Sequence, residues 1–382
     1  MRRLLFLIAD TGGGHRAAAT AVERQMADAA PGEFEITILD PFAAAPQRII
    51  GGTAGLYGPI TRHARWLWAG LYHATNSRPA VSLLERTVLR SVTRAVDDAI
   101  RRLQPDCVVS FHPLLNHISV RAAQAHERRV PVITVITDLV DIHASWACPD
   151  VDAVVVPSPG GFERCRRAGI PASRCHDIGL AVDRRFTDLP SDPAGIAALR
   201  RQLGLRPDSF VVLVCGGADG SGGLVRNAQA IAATTIDLDL VVICGRNERA
   251  HSALAGLRTA AGREVRVLGY VTDMPRWMRA SDIIVSKAGP GTIAEALCCG
   301  LPLLLVWYLP GQERGNVEWV VDIGAGRFVP HVEQLVDAVT ELAVPGSATL
   351  ASMREAVRAA ARPDATRRIA ALIAGMAAGA PA

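Results

Sequence analysis

Strand-like and helix-like segments alternate along the whole of this chain, and that alternation admits few folds. Apolar runs that read as buried strands occupy 4–8, 34–39, 107–111, 132–136 and 153–156 in the first half. Helical periodicity runs between them through 16–29, 81–103 and 118–128. The pattern restarts with strands at 210–214, 238–243, 265–268, 283–285 and 303–306. Strands that alternate with helices imply an α/β fold, with parallel sheets joined by right-handed crossovers. A polar, proline-containing stretch at 181–192 breaks the periodicity. It predicts two Rossmann-like domains, 1–185 and 186–382, and 382 residues are enough for each to bury its own core. Residues 350–376 read as one or two Ala/Arg helices that cross back to the first domain.

Aromatic residues make up only 5% of the chain, which suits buried parallel strands wrapped by Ala-rich helices. A net charge of +4 is small for a nucleic-acid binder, so no nucleic acid is expected as a partner. The eight cysteines form no C-x-x-C pair, and several sit inside apolar strands, as Cys215 and Cys244 do. They read as core residues of a protein in a reducing, cytoplasmic compartment. The opening MRRLLFLIAD stops being apolar at Asp10 and reads as a first strand, not a signal peptide. No stretch reaches the roughly 18 apolar residues of a membrane span, so attachment to a membrane is expected to be peripheral.

Each half carries a glycine turn between a strand and a helix: Gly12-Gly14-Ala17 and Gly289-Gly291-Ala294. Such a turn aims bare backbone N–H groups and the positive end of a helix dipole at one point, which makes an anion site. Beside the second turn stands Lys287, the only lysine in a chain that otherwise uses arginine. A compact ammonium suits a crowded loop near a phosphate better than a broad guanidinium fork. A further glycine-rich turn, Gly216-Gly217 and Gly220 to Gly223, lacks the Lys-Ser/Thr pair of a P-loop. Asp40 ends the second strand where a ribose-binding acid of a dinucleotide enzyme would sit, but His15 would crowd a pyrophosphate at the first turn.

His15 follows three glycines at a helix start, a position that disfavours the charged imidazolium and leaves a neutral ring able to accept a proton. A solvated N-terminal histidine is the plainer alternative. Glu295, four residues beyond Gly291, can accept two ribose hydroxyls or simply complement the helix dipole. Gln312, Glu313 and Asn316 end another strand with donors and acceptors suited to sugar hydroxyls. His112, His117, Asp138, Asp141 and His143 match no metal-ligand spacing. They read as the walls of an acceptor pocket, and no metal or other cofactor is expected. Residues 48–72 combine Arg48, Arg62 and Arg65 with Tyr57, Trp66, Trp68 and Tyr72, which suits either an anionic membrane surface or an ordinary packed helix.

Taken in order, GGGHRAAA (12–19), SFHPLLNH (110–117), TDLVDIHASW (137–146), GGADGSGG (216–223), VVICGRNE (241–248), VLGYVTDMPRWMRASD (267–282), SKAGPGTIAEA (286–296) and PGQERGN (310–316) resemble the monogalactosyldiacylglycerol synthases and processive diacylglycerol glucosyltransferases. More distantly they are similar to the lipid-linked N-acetylglucosaminyltransferase of peptidoglycan synthesis. The resemblance implies a GT-B fold, two Rossmann-like domains facing a cleft, and inverting transfer of a hexose from a UDP-sugar to a lipid hydroxyl such as diacylglycerol. It implies that His15 is the base, that the backbone at Tyr270 and Val271 carries the uracil, and that Glu295 holds the ribose. Gly217, Gly289, Gly291 and Thr292 would surround the diphosphate, with Gly14 and Lys287 completing the turns on the donor side. Gln312 and Glu313, with Asn316, would read the sugar. His112, Tyr57, Arg62, Arg65, Trp66 and Trp68 would face the acceptor and the inner surface of the cell membrane. Asp219 departs from the family, whose members tend to carry Glu or another residue there. Other hydrophobic acceptors, a nucleotide-sugar epimerase and a catalytically silent nucleotide-sugar binder remain alternatives.

Overall fold

A computed structural model describes residues 1–10, 13–43, 70, 72–77, 79–81, 83, 89–216 and 223–379. The chain packs as two units. The first comprises Met1–Arg184, Pro310–Gln312 and Pro363–Ala382, and the second Arg185–Leu309 and Glu313–Arg362.

The first unit is built on β1 (Arg2–Leu7), β2 (Phe34–Leu39), β3 (Cys107–Ser110), β4 (Val132–Val135), β5 (Ala153–Val156) and β6 (Cys175–Asp177). They form one parallel sheet in the order β2-β1-β3-β4-β5-β6. Every residue of β3, β4 and β5 is buried. That is the condition of a central parallel strand covered on both faces, and it explains their unbroken apolar sequence. Period-two alternation splits β1 between two cores. Leu5 and Leu7 meet Val92, Val96 and Ile100 of the helix Arg90–Leu103 on one face. On the other, Leu4, Phe6 and Ile8 meet Val22 of the helix Gly14–Ala29 and Ile369, Ala370 and Ile373 of the terminal helix Ala365–Ala377. That last helix follows Pro363, which cannot continue the helix Ala348–Ala360. It is tied down by Thr366, whose hydroxyl donates to the Val182 carbonyl at 2.6 Å and accepts from the Val182 N–H at 2.9 Å.

In the second unit β7 (Phe210–Cys215), β8 (Leu238–Ile243), β9 (Arg266–Leu268), β10 (Ile283–Lys287), β11 (Leu303–Trp307) and β12 (Gly326–Phe328) form another parallel sheet. Their order is β12-β11-β10-β7-β8-β9. The short edge strands β6 and β12 lack an apolar run, and the sequence does not announce them. At Gly326 any side chain would strike β11, because a Cβ there would lie 2.5 Å from the Leu303 carbonyl oxygen and 2.7 Å from Val320 Cγ1.

A buried ionic knot fastens the foot of this second sheet. Asp282 Oδ2 accepts from Arg200 Nη2 at 2.7 Å and from the Val211 N–H at 2.8 Å, and Oδ1 accepts from Arg354 Nη2 at 2.6 Å. Arg200 donates further to the carbonyls of Ala280, Pro207 and Ser209. One carboxylate thus joins the starts of β7 and β10 to the helices Pro193–Gln202 and Ala348–Ala360. Removing it leaves a buried guanidinium uncompensated. Asp282→Ala is expected to destabilise the second unit by about 3 kcal/mol, read as a lower urea midpoint. Glu163→Ala, which removes the exposed pair with Arg167, should leave the midpoint unchanged.

Candidate active site

In both sheets the strand order reverses beside the first strand of the unit, between β1 and β3 and again between β7 and β10. Loops leaving the carboxyl ends of such a pair diverge, and the crevice they leave is where ligands bind in open α/β sheets. His15 follows β1, His112 follows β3, and the Gly289 turn follows β10. The residues singled out by chemistry therefore stand where the topology leaves room.

In the first unit, Gly13 turns the chain with φ +81°, a left-handed conformation that suits glycine, and the helix Gly14–Ala29 begins without a side-chain cap. His15, half-buried on its first turn, places Nδ1 2.9 Å from the hydroxyl oxygen of Thr137, just beyond β4. The His112 ring stands nearly perpendicular to it with centroids 4.8 Å apart, and Trp146 lies at 6.3 Å. Burial pushes the His15 pKa down to about 4, opposed by the carbonyl of Phe111. The ring is therefore neutral at physiological pH. Burial, and then His15 itself, hold His112 well below the usual imidazole range. His112 Nδ1 is buried without a hydrogen-bond partner. The wall beyond is set by Trp146, fully buried, whose Nε1–H donates to Asp138 Oδ2 at 2.7 Å. Gln312, which packs with this unit, donates from Nε2 to the other oxygen of Asp138 at 3.1 Å.

In the second unit the helix Pro290–Cys298 opens with Gly289 at its N-cap, Pro290 at its first position and no side-chain cap. Its first-turn N–H groups, those of Gly291 and Thr292, have no intrahelical acceptor and point outward from the dipole's positive end. No atom lies within 4 Å of the position a Cβ would take on Gly291, so a ligand can reach that backbone. Lys287 Nζ donates to Glu313 Oε1 at 2.5 Å, and Glu313 Oε2 accepts from the Leu309 N–H at 2.9 Å. Glu313 is only 4% exposed. Asn316, also buried, donates from Nδ2 to the Ala288 carbonyl at 3.0 Å. Both side chains brace the loop after β11 against the end of β10. Glu295 is half-buried one turn along the helix from Gly291. Tyr270 is 62% exposed at the end of β9, with the Arg246 guanidinium 5.3 Å from its ring centroid, and Val271 beside it is half-buried.

Other residues have structural duties. Asp40 accepts the N–H groups of Asp10 at 3.0 Å and Phe42 at 2.9 Å, so the acid that a dinucleotide site would use on a ribose holds the chain after β2. Tyr72 faces inward, not toward a headgroup: it is buried against His143, and its hydroxyl donates to the Asp141 carbonyl at 3.1 Å. His143 bonds Ser145 Oγ at 2.7 Å and lies 3.3 Å from the Tyr72 carbonyl. Among the described residues no group of three or more His, Cys, Asp or Glu side chains is placed to hold a metal ion. Gly217, Tyr57, Arg62, Arg65, Trp66 and Trp68, with Arg48, lie outside the described residues. Thr137, which touches His15, carried no signal of its own in the sequence beyond its place at a strand end.

Residues 15–182 match the model of the monogalactosyldiacylglycerol (MGDG) synthase family, and residues 211–369 match that of the glycosyltransferase family 28 C-terminal domain. Monogalactosyldiacylglycerol synthase 1 of Arabidopsis thaliana is 32% identical over 385 residues, covering 96% of this chain and 70% of the relative. Among solved structures, MurG of Acinetobacter baumannii superposes with a TM-score of 0.65 at 20% identity, covering 98% of this chain and 99% of that one. The UDP-GlcNAc 2-epimerase of Neisseria meningitidis, bound to UDP-GlcNAc, reaches 0.58 at 14% identity, with coverage of 97% and 99%. At those identities the likeness speaks for the fold, which is of the GT-B kind. With two matched domains and a relative alike across almost the whole of this chain, the protein belongs to the monogalactosyldiacylglycerol synthase family.

Proposed function

We propose that this chain is a UDP-sugar-dependent glycosyltransferase that moves a hexose onto the hydroxyl of diacylglycerol, with inversion at the anomeric carbon. The observation that carries this assignment is the uncharged, half-buried imidazole of His15 at the switch point of the first sheet, in a chain of this family. In the reaction the acceptor oxygen attacks C1 of the sugar as its proton passes to the His15 ring. The bond from C1 to the diphosphate oxygen breaks, and its electron pair leaves with UDP. Charge then builds on the leaving group while the sugar becomes oxocarbenium-like. Main-chain N–H groups of Gly291 and Thr292, with Gly289, Gly14 and Gly217, are assigned to that charge, and in this proposal they act without a metal ion. Glu295 is assigned to the ribose, the backbone at Tyr270 and Val271 to the uracil, and Gln312, Glu313 and Asn316 to the sugar.

The lipid acceptor implies work at a membrane surface, which we place at the inner face of the cell membrane, with the arginine- and tryptophan-bearing segment 48–72 and His112 on the acceptor side. Among the described residues no helix is long and apolar enough to cross a membrane. An epimerase would have to invert a centre on the donor sugar without any acceptor. Incubation of the purified protein with labelled UDP-galactose and UDP-glucose, with and without diacylglycerol vesicles, separates the two. Label should enter the organic phase only when diacylglycerol is present, whereas an epimerised nucleotide sugar formed without acceptor would defeat the proposal.

Replacing His15 with Ala should lower kcat by about 10²- to 10⁴-fold while leaving UDP affinity within a factor of two, measured by calorimetry. The pH profile carries a second test. Folding lowers the His15 pKa from 6.5 to about 4, so the folded state binds this proton less readily than the unfolded chain. Its contribution to stability is therefore complete above pH 6.5 and is lost as pH falls toward 4. Initial rates should accordingly stay level from pH 8 down to 6, without the inflection near 6.5 that a solvated histidine would impose.

The pairing of Lys287 with Glu313 yields a third expectation. Lys287→Met leaves a buried carboxylate without its cation and should cost about 3 kcal/mol of stability in urea unfolding, together with a raised KM for the UDP-sugar. Lys287→Arg should fail to restore the donor KM. A Cβ on Gly289 would already lie 3.1 Å from Lys287 Nζ, and the guanidinium is wider than the ammonium it replaces.

A further inference from the structure

The contact between Thr137 and His15 joins residues 122 positions apart at 2.9 Å, and the carbonyl of Phe111 also acts on the His15 ring. Thr137 is 8% exposed, just beyond β4, and its side chain stands at the carboxyl end of the sheet two strands away from β1. A buried hydroxyl needs a hydrogen-bond partner, so the plain account is that His15 merely satisfies Thr137. The demands of proton transfer run the other way. A neutral imidazole has one N–H and one lone pair, and a base needs its lone pair open to the acceptor. Nδ1 is occupied by Thr137, so the nitrogen left to receive the proton is Nε2. The ring can serve as the base only in the tautomer that carries its hydrogen on Nδ1 and donates it to Thr137 Oγ1, the reverse of a Thr137 hydroxyl donating to Nδ1.

We propose that Thr137 is the positioning residue of the transfer reaction: its hydroxyl oxygen accepts from His15 Nδ1–H, fixing the ring's rotation and its tautomer so that Nε2 faces the acceptor hydroxyl. When Nε2 takes the acceptor proton, the ring becomes an imidazolium and the same Nδ1–H donates from a charged group. A hydrogen bond with one ionised partner is about twice as strong as a neutral one. The contact therefore tightens as the transition state forms, which is the kind of interaction that raises kcat without tightening substrate binding. His112 assists from the side, its ring nearly perpendicular at 4.8 Å limiting how His15 can swing. A hydroxyl also suits this place better than a carboxylate, which would hold the imidazole charged at neutral pH and so remove the base.

The inference rests on the assignment of His15 as the base, and the experiment separates the two. Thr137→Val keeps the shape of the side chain and deletes the hydroxyl, Thr137→Ser keeps the hydroxyl, and His15→Ala tests the base itself. Thr137→Val is expected to lose about 10- to 100-fold in kcat with the KM for UDP-sugar within twofold. Thr137→Ser should recover to within about threefold of the parent protein. In ¹⁵N-histidine-labelled protein, the signals that vanish in His15→Ala should show a hydrogen on Nδ1, and a mixture of tautomers in Thr137→Val. A Thr137→Val enzyme with kcat within twofold of the parent would overturn the inference. So would a Thr137→Ser enzyme as slow as the valine variant, or a parent ring with its hydrogen on Nε2. Should His15→Ala itself remain fully active, the base assignment fails first and this inference falls with it.

Discussion

A parallel sheet can place an open crevice only where two neighbouring strands send their following segments in opposite directions, and each unit of this protein has one such point among its described strands. Everything chemically distinctive follows from it. In the first unit the loops after β1, β3 and β4 bring His15, His112 and Thr137 to one end of the sheet. In the second, the reversal lies beside β10, and the glycine turn follows directly from that strand. Main-chain N–H groups and one imidazole, neither of which can be brought together by local sequence, are delivered to those ends by the order of strands.

The two units handle charge in opposite ways. Around His15 the contacts are neutral: a threonine hydroxyl, a backbone carbonyl and two other rings. Among the described residues no carboxylate hydrogen-bonds the ring, and burial outweighs the Phe111 carbonyl and keeps the imidazole uncharged. Asp138, next to Thr137 in sequence, is met by the indole of Trp146 and the amide of Gln312. The second unit instead keeps its one ammonium at the end of a strand and ties it to Glu313. That pair cancels its own charge. The attraction left for an anion there comes from fixed backbone dipoles, which need no reorganisation when a ligand arrives.

Legibility in the sequence followed the same physics. β3, β4 and β5 were readable because a strand covered on both faces must be apolar throughout. β6 and β12 were not, since Cys175–Asp177 and Gly326–Phe328 belong to no apolar run, unlike β9, an equally short edge strand preceded by Val265. Gly326 could be seen only as a glycine until the Leu303 carbonyl was found against it. At the site, His15 and Lys287 stood out by composition and local context. Their pairings did not: Thr137 lies 122 residues from one, Glu313, read from the sequence only as a sugar ligand, lies 26 from the other, and only the tertiary fold brings them together. Tyr72 stayed open for a related reason: an aromatic near arginines suits a membrane surface and a packed interior equally, and here its hydroxyl meets the Asp141 carbonyl.

The likeness of this fold both to MurG and to a UDP-GlcNAc 2-epimerase shows how little the scaffold itself decides. Inverting a sugar carbon requires groups that act on the ring from both sides. Transfer requires a single base turned toward an incoming hydroxyl. In the proposed reaction His15 answers the second need. One of its nitrogens is engaged by Thr137, its rotation is restrained by the perpendicular ring of His112, and a single lone pair remains to receive a proton. A ring held in that way offers one base to an incoming hydroxyl, as the proposed glycosyl transfer requires.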